Sequence, residues 1–259
     1  MGAGLSDVSN EVGEALAEVC ELAAALILPL WRSGLAVIHK ADESPVTEAD
    51  RRGETLILAE LARRFPDIPV VSEEDASESG VPETIGRRFF LVDPLDGTKA
   101  FVRGDPNFTV NIGLIEDGRP VAGAVCAPPT GETWWTAGGR AWKRVQGGAP
   151  QAVRVRPWPA GDALALVSHT MKEEAALALA QQYGFDRREP MDSSIKFCRI
   201  AEGAADIYPR HGPTMEWDIA AGHAILEAAG GRVEAVEGGP FVYGKAEAGF
   251  RNGWFVARS

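Results

Sequence analysis

Four apolar residues, Phe89, Phe90, Leu91 and Val92, end abruptly in Asp93-Pro94-Leu95-Asp96-Gly97-Thr98. Two carboxylates three residues apart therefore stand where a strand stops, and a Gly-Thr pair opens the next element. Glu73-Glu74-Asp75 precedes this stretch and Trp217-Asp218 follows far downstream. Hard cations take oxygen ligands, often one or two carboxylates together with substrate phosphate oxygens. A strand end running into a helix start offers carboxylates and free backbone N–H groups side by side. The combination points to metal-assisted chemistry on a phosphate.

Charge sharpens that reading. The 259-residue chain carries a formal net charge of −11. An acidic surface argues against a nucleic-acid polymer as partner, because phosphate backbones are met by clustered Lys and Arg. An acidic pocket also repels a phosphate ester unless bound cations reverse the local field. The length suits one large domain or two intimate ones. Cys20, Cys126 and Cys198 are odd in number and widely spaced, so we expect neither a disulfide framework nor a zinc site, and a reducing, cytoplasmic setting. The apolar run from Leu22 to Trp31 is too short to span a bilayer and reads as part of a buried helix, with no integral membrane segment expected. Peripheral association with the inner membrane is left open, as is a homo-oligomer.

Periodicity predicts a long helix over 6–31, with Val8, Val12, Leu16, Val19 and Leu22 on one face. A polar loop over 39–45 follows, then a helix capped by Thr47 with Leu56, Ile57, Leu61 and Phe65 inward, ended at Pro66-Asp67. Strands are expected over 68–72 and 88–92. Asp117-Gly118 and Gly138-Gly139 mark two hairpins, over 108–127 and 133–145. Further strands fall at 163–168, 205–208, 232–235 and 254–257, with helices at 172–183, 193–202 and 216–229, the last stopped by Gly230-Gly231. A meander followed by strand–helix alternation predicts a layered α/β (α+β) protein. The proline-bearing segment 154–162 divides it into a half over 1–158 that holds the metal site and a half over 159–259 that completes it.

Glu73, Asp93, Asp96 and Asp218 all sit at ends of expected elements, and are the candidate metal ligands. Any one of them alone is most simply a solvated turn or cap acid; four together favour a site. The small residues Ile219-Ala220-Ala221-Gly222 after Asp218 allow that helix to pack closely on a neighbour. Thr98 and Asp50 are candidates for water activation, since a hydroxyl can take a proton when a carboxylate accepts its own. From spacing alone, the plainer roles win: Thr98 as an N-cap and Asp50 as a first-turn helix acid.

The motifs Glu73-Glu74, Asp93-Pro94-Leu95-Asp96-Gly97-Thr98 and Trp217-Asp218-Ile219-Ala220-Ala221-Gly222 resemble the signatures of the inositol monophosphatase superfamily, and Lys40 to Asp50 resembles its upstream segment. Ser193-Ser194-Ile195-Lys196-Phe197-Cys198, Tyr208-Pro209-Arg210 with Gly212-Pro213-Thr214, and Val167-Ser168-His169 resemble its CysQ-type 3′(2′),5′-bisphosphate nucleotidase branch. Asp192, His211 and Glu216 depart from that branch's pattern. The resemblance implies an α/β/α/β/α sandwich of the sugar-phosphatase type and a lithium-sensitive, Mg²⁺-dependent phosphomonoesterase. It implies a first Mg²⁺ on Glu73, Asp93 and the Leu95 carbonyl, and a second on Asp93, Asp96 and Asp218. A third, weaker ion would sit near Glu73 through water. Asp50, Thr98 and Glu73 would be catalytic. Gly97, Thr98, Ser168, His169, Ser193, Lys196, Arg210 and Asp218 would contact substrate, with Lys172 a further cation nearby.

The activity expected from this resemblance is removal of the 3′-phosphate of adenosine 3′,5′-bisphosphate, giving AMP and phosphate and clearing a by-product of sulfate assimilation. Inositol-1-phosphate, another sugar phosphate or histidinol phosphate is the alternative substrate. A non-catalytic phosphometabolite sensor is the alternative class, and the full set of acidic and hydroxyl residues argues against it.

Overall fold

The computed structural model describes residues 5–34, 38–39 and 45–259. Helix α1 (Leu5–Ile27) buries Val12, Leu16, Val19, Ala23 and Ile27. It ends earlier than periodicity suggests because Pro29 cannot extend an α-helix, and a single 3-10 turn, Leu28–Leu30, follows. Leu22, expected inward, is 46% exposed; α1 meets the sheet along the line of Val19, Ala23 and Ile27. The expected loop over 39–45 is instead flanked by a short antiparallel ladder, β1 (Ile38–His39) with β2 (Pro45–Val46). The start of the Lys40–Asp50 segment, residues 40–44, lies outside the described residues. Helix α2 (Glu48–Arg64) is capped by Thr47 as expected.

The first sheet has seven strands in sequence order: β3 (Val70–Ser72), β4 (Arg88–Asp96), β5 (Thr109–Glu116), β6 (Arg119–Ala127), β7 (Glu132–Ala137), β8 (Arg140–Val145) and β9 (Gln151–Val153). Only β3 and β4 pair in parallel; the remainder is a meander. Two short helices interrupt the chain between strands, α3 (Glu73–Ser79) and α4 (Thr98–Arg103). Sequence reading missed α3, since seven polar and small residues carry no apolar stripe.

The second sheet has the order β11 (Arg187–Pro190), β10 (Leu164–Val167), β12 (Ile207–Arg210), β14 (Phe255–Arg258), β13 (Arg232–Ala235). Helix α5 (Glu173–Tyr183) covers its outer face with Leu179, Ala180 and Tyr183 against Ala165, Ile207 and Val256. Helices α6 (Ile195–Ala201) and α7 (Glu216–Ala228) fill the space between the two sheets. Helices α1 and α2 cover the far face of the first sheet. The layers therefore run α/β/α/β/α, as the sequence led us to expect.

The central layer is unusually tight, and glycine makes it so. A Cβ on Gly123 of β6 would lie 2.6 Å from the Ala221 carbonyl oxygen of α7, and one on Gly113 of β5 would lie 2.9 Å from the Ala220 Cβ. On the opposite side of α7, a Cβ on Gly222 would lie 2.6 Å from the Phe197 ring. The run of small residues after Asp218 thus lets α7 settle directly on the backbone of the first sheet. Gly123→Ala must push helix and sheet apart, and overpacking of this kind costs about 1–3 kcal/mol. We expect a matching drop in urea-unfolding stability with the dependence on urea concentration unchanged.

Candidate active site

Strand register places the first two acids. Ser72 of β3 stands opposite Val92 of β4 in the parallel pair, so the next residues, Glu73 and Asp93, emerge side by side, Glu73 leaving its strand while Asp93 stays paired with β5. Glu73 is the first residue of α3, not the last residue of a strand as expected. That helix start is held from below: the Glu54 carboxylate of α2 accepts the Glu74 N–H at 3.0 Å and the Asp75 N–H at 3.3 Å. Glu54 was not singled out from sequence. Its signal was an acid on the buried stripe of Asp50, Ile57 and Leu61, four residues beyond Asp50.

Strand β4 runs on through Pro94 to Asp96, four residues further than expected. In a regular strand, residues three apart face opposite sides. Here the pairing shifts between Asp93, opposite Asn111, and Asp96, opposite Thr109. Pro94 has no N–H to give to a ladder, so the irregularity falls there. It brings Asp93 and Asp96 within electrostatic range of each other. Asp93 is 1% exposed and accepts the Leu95 N–H at 3.0 Å. Asp96 accepts the Ser194 N–H at 2.6 Å and a weaker contact from the Asn111 side chain at 3.4 Å.

Asp218 comes from the first turn of α7, where it accepts the Met215 N–H at 2.8 Å. The Ser194 hydroxyl bonds the Asp218 carbonyl, tying the Asp96 partner loop to that helix. Glu73, Asp93 and Asp218 each offer an oxygen within 4.8 Å of the others. Asp96 is turned toward Ser194 and stands beside this trio, not among it.

The electrostatics are those of like charges confined together. Burial first, then Glu73, Asp96 and Asp218, push the Asp93 carboxyl well above its usual range. Burial and then Asp96 and Glu73 do the same to Asp218. Burial raises Asp96, against the pull of the Lys196 cation. An all-oxygen cluster with this charge suits a hard divalent cation, which would remove the repulsion that raises these groups.

Asp50 lies 2% exposed at the edge of the cluster. One of its oxygens accepts the Thr47 N–H at 2.8 Å and the Thr47 hydroxyl at 2.6 Å. The other lies 3.2 Å from the Thr98 hydroxyl, which also stands 3.1 Å from the Leu95 carbonyl oxygen. Asp50 is thus both the first-turn acid of α2 and the partner of Thr98. Burial pushes its carboxyl up to about 6, against the Thr47 hydrogen bonds that lower it. Gly97, not Thr98, caps α4. Its φ of 95° is left-handed, and a Cβ there would lie 2.8 Å from the Asn107 carbonyl oxygen.

The remaining expected residues gather on the second half. Ser168, Lys172 and Arg210 line a cavity of about 540 Å³ with Leu179, Gln182 and Trp254. His211 stacks on Trp254 at 4.9 Å in the same wall. His169 is exposed, with Nδ1 3.3 Å from Asp192. Lys196 is 4% exposed, so it is not the solvated helix cation that spacing alone suggests. Its Nζ donates to the Ser193 and Met191 carbonyls at 2.6 and 3.2 Å and lies 4.8 Å from the Tyr208 ring centre. Burial lowers it to about 8, against Asp96, which raises it. Ser193 adopts a left-handed φ of 58°, and its hydroxyl accepts the Ile195 N–H at 3.4 Å.

A two-sheet sandwich with a half-buried acidic cluster at the ends of β3 and β4 and the start of α7 defines a phosphatase of the sugar-phosphatase architecture. The inositol monophosphatase family matches residues 9–255, and the chain belongs to that family. It is 41% identical over 246 residues to a Salmonella typhimurium protein named 3′(2′),5′-bisphosphate nucleotidase CysQ, covering 93% of this chain and 98% of the relative. A histidinol-phosphatase from Mycobacterium tuberculosis is 34% identical over 210 residues, 79% of each chain. The crystal structure of CysQ from Bacteroides thetaiotaomicron superposes with a TM-score of 0.79 at 30% identity, over 100% of this chain and 99% of that one.

Carboxyls raised in the folded state are more protonated folded than unfolded, so their contribution to stability is present at low pH and lost as pH rises through the raised values. In chelator, the thermal midpoint is therefore expected to rise as pH falls through the raised values, that of Asp50 at about 6 among them. Asp93→Asn should flatten that slope, and magnesium should raise the midpoint of the native sequence most at the alkaline end. Calorimetry across the pH series checks both.

Proposed function

We propose that this chain is a magnesium-dependent 3′(2′),5′-bisphosphate nucleotidase that hydrolyses the 3′-phosphate of adenosine 3′,5′-bisphosphate to AMP and phosphate. The observation that carries the phosphatase reading is the Asp50–Thr98 contact at the rim of the acidic cluster. The CysQ-named relatives and the cavity beside Arg210 support the nucleotide.

Glu73, Asp93, the Leu95 carbonyl, Asp96 and Asp218 would hold two magnesium ions, and a third, weaker ion near Glu73 fits the same surplus of carboxylates. Bound there, the cations neutralise phosphate charge and make water more acidic. The protein's own part is proton handling and orientation. Thr98 can give its hydroxyl hydrogen to Asp50 and accept one from the attacking water, whose oxygen bonds phosphorus as the ester P–O bond breaks. One hydroxyl hydrogen serves one acceptor at a time; occupation of the Leu95 carbonyl by a cation would leave Asp50 as its sole acceptor. Backbone N–H groups of Gly97 and Thr98 would meet the phosphate. The leaving oxygen takes its proton from solvent. Ser168, His169, Ser193, Lys196 and Arg210 form the wall assigned to the rest of the nucleotide. Lys196 uses two of its three N–H donors on carbonyls, which leaves one for an anion.

We assign the chain to the cytoplasm on its three cysteines, all free and buried. Among the described residues no helix is long and apolar enough to cross a membrane. The halves over 1–158 and 159–259 would supply the metal site and its completion, respectively.

Phosphate release from adenosine 3′,5′-bisphosphate, inositol-1-phosphate and histidinol phosphate, with and without magnesium, tests the assignment. We expect the nucleotide to lead by tenfold or more, a margin of about 1.4 kcal/mol. The histidinol-phosphatase relative makes histidinol phosphate the competitor to watch, and an equal or greater kcat/KM for it would reverse the order. Binding of nucleotide without any phosphate release would instead favour a sensor. At saturating magnesium, kcat should fall with unit slope on the acid side as Asp50 takes up a proton, at a pH no higher than its metal-free value of about 6, because nearby cations favour the carboxylate. Asp50→Asn should lower kcat by about 10²–10⁴-fold, the usual size of a lost general-base contribution.

A further inference from the structure

Asp192 lies on the turn between β11 and α6 and takes no part in the acidic cluster. One of its carboxylate oxygens, Oδ2, accepts a hydrogen bond from Arg103 Nη2 at 2.7 Å and lies 3.3 Å from His169 Nδ1. Arg103 closes α4, the short helix that begins at Gly97-Thr98. His169 follows β10 between Ser168 and Thr170, both of which line the cavity that holds Arg210. A single oxygen therefore joins three segments, and each of the three carries residues assigned above to substrate.

The turn that presents Asp192 is itself fixed. Lys196 folds back onto the carbonyls on either side of it, Met191 and Ser193, and Ser193 holds the left-handed backbone that directs the chain into α6. The Asp192 side chain is 19% exposed, against 50% for Arg103 and 36% for His169. It is the sheltered member, anchored by its own turn, and the Arg103 guanidinium and the His169 ring reach to it from opposite halves of the chain. An isolated exposed ion pair contributes little. A carboxylate shared by two partners instead fixes their separation, which matters where a ligand must touch both sides of a cleft.

Resting on the nucleotide reading, we infer that Asp192 is a specificity-determining positioning residue. It sets the distance between the phosphate end of the site, on α4, and the nucleoside wall at His169, so that a substrate spanning both is favoured over a compact phosphate ester. A compact ester uses only the metal end and does not sense the clasp.

The test compares the native enzyme with Asp192→Asn, Arg103→Gln and the double variant, on adenosine 3′,5′-bisphosphate and on inositol-1-phosphate at saturating magnesium. Asp192→Asn is expected to raise KM for the nucleotide about fivefold, with kcat within about twofold and inositol-phosphate kinetics unchanged, the scale of one broken ion pair. Arg103→Gln should shift the same parameter in the same direction, and the double variant should fall short of the product of the two single effects, because both break one linkage. Unchanged nucleotide KM, an equal loss on both substrates, or fully multiplicative single effects would each overturn the inference. Failure of the native enzyme to prefer the nucleotide would remove the substrate reading first, and the inference with it. Matching thermal midpoints establish that each variant is folded.

Discussion

Mutual repulsion among carboxylates is the interaction around which this molecule is arranged. Glu73, Asp93 and Asp218 are forced within a few ångströms of each other, with Asp96 beside them. Nothing in a relaxed chain would choose that. Each acid is instead delivered by an element whose position is set elsewhere: Glu73 by parallel pairing of β3 with β4, Asp93 and Asp96 by the irregular end of β4, Asp218 by the start of α7. Backbone N–H groups take part of the negative charge, at Leu95 for Asp93, Ser194 for Asp96 and Met215 for Asp218. The rest is a standing demand for a cation.

That demand explains the tight central layer. Asp218 can face the ends of β3 and β4 only if α7 lies directly on the sheet, and side chains larger than glycine and alanine at the contact would hold it off. The aromatic core formed by Phe197, Tyr208 and Phe255 then fills the opposite side of the same layer. Buried apolar area stabilises an arrangement whose charges, taken alone, oppose it. Strain of this kind at a functional site is carried by packing elsewhere.

The sequence was legible where a residue's role is local. Thr47 as a cap, the Asp117-Gly118 hairpin and the stop of α7 near Gly230 follow from turn and cap chemistry that needs no distant partner. It was illegible where a distant element decides. Leu22 fits the apolar period of α1 yet faces solvent, since the sheet meets the helix on a neighbouring line. Glu73 was placed at a strand end because α3 has no apolar stripe; its helix forms on a start capped by Glu54, twenty residues earlier. Lys196 looked like a solvated lysine, and burial against Tyr208 and its own turn makes it something else.

Alone, the sequence determined the layered fold class through hydrophobic period and turn chemistry, carried the motifs on which the family resemblance rests, and placed acids at element ends as candidates to meet a cation. Only the tertiary structure decided which carboxylates converge, that Asp50 reaches Thr98 across forty-eight positions, and that Asp192 stands between Arg103 and His169. The physical reason is range. Caps, turns and periods act over a few residues, whereas electrostatic and hydrogen-bond partners are chosen by distance in space, which strand register and helix packing alone set.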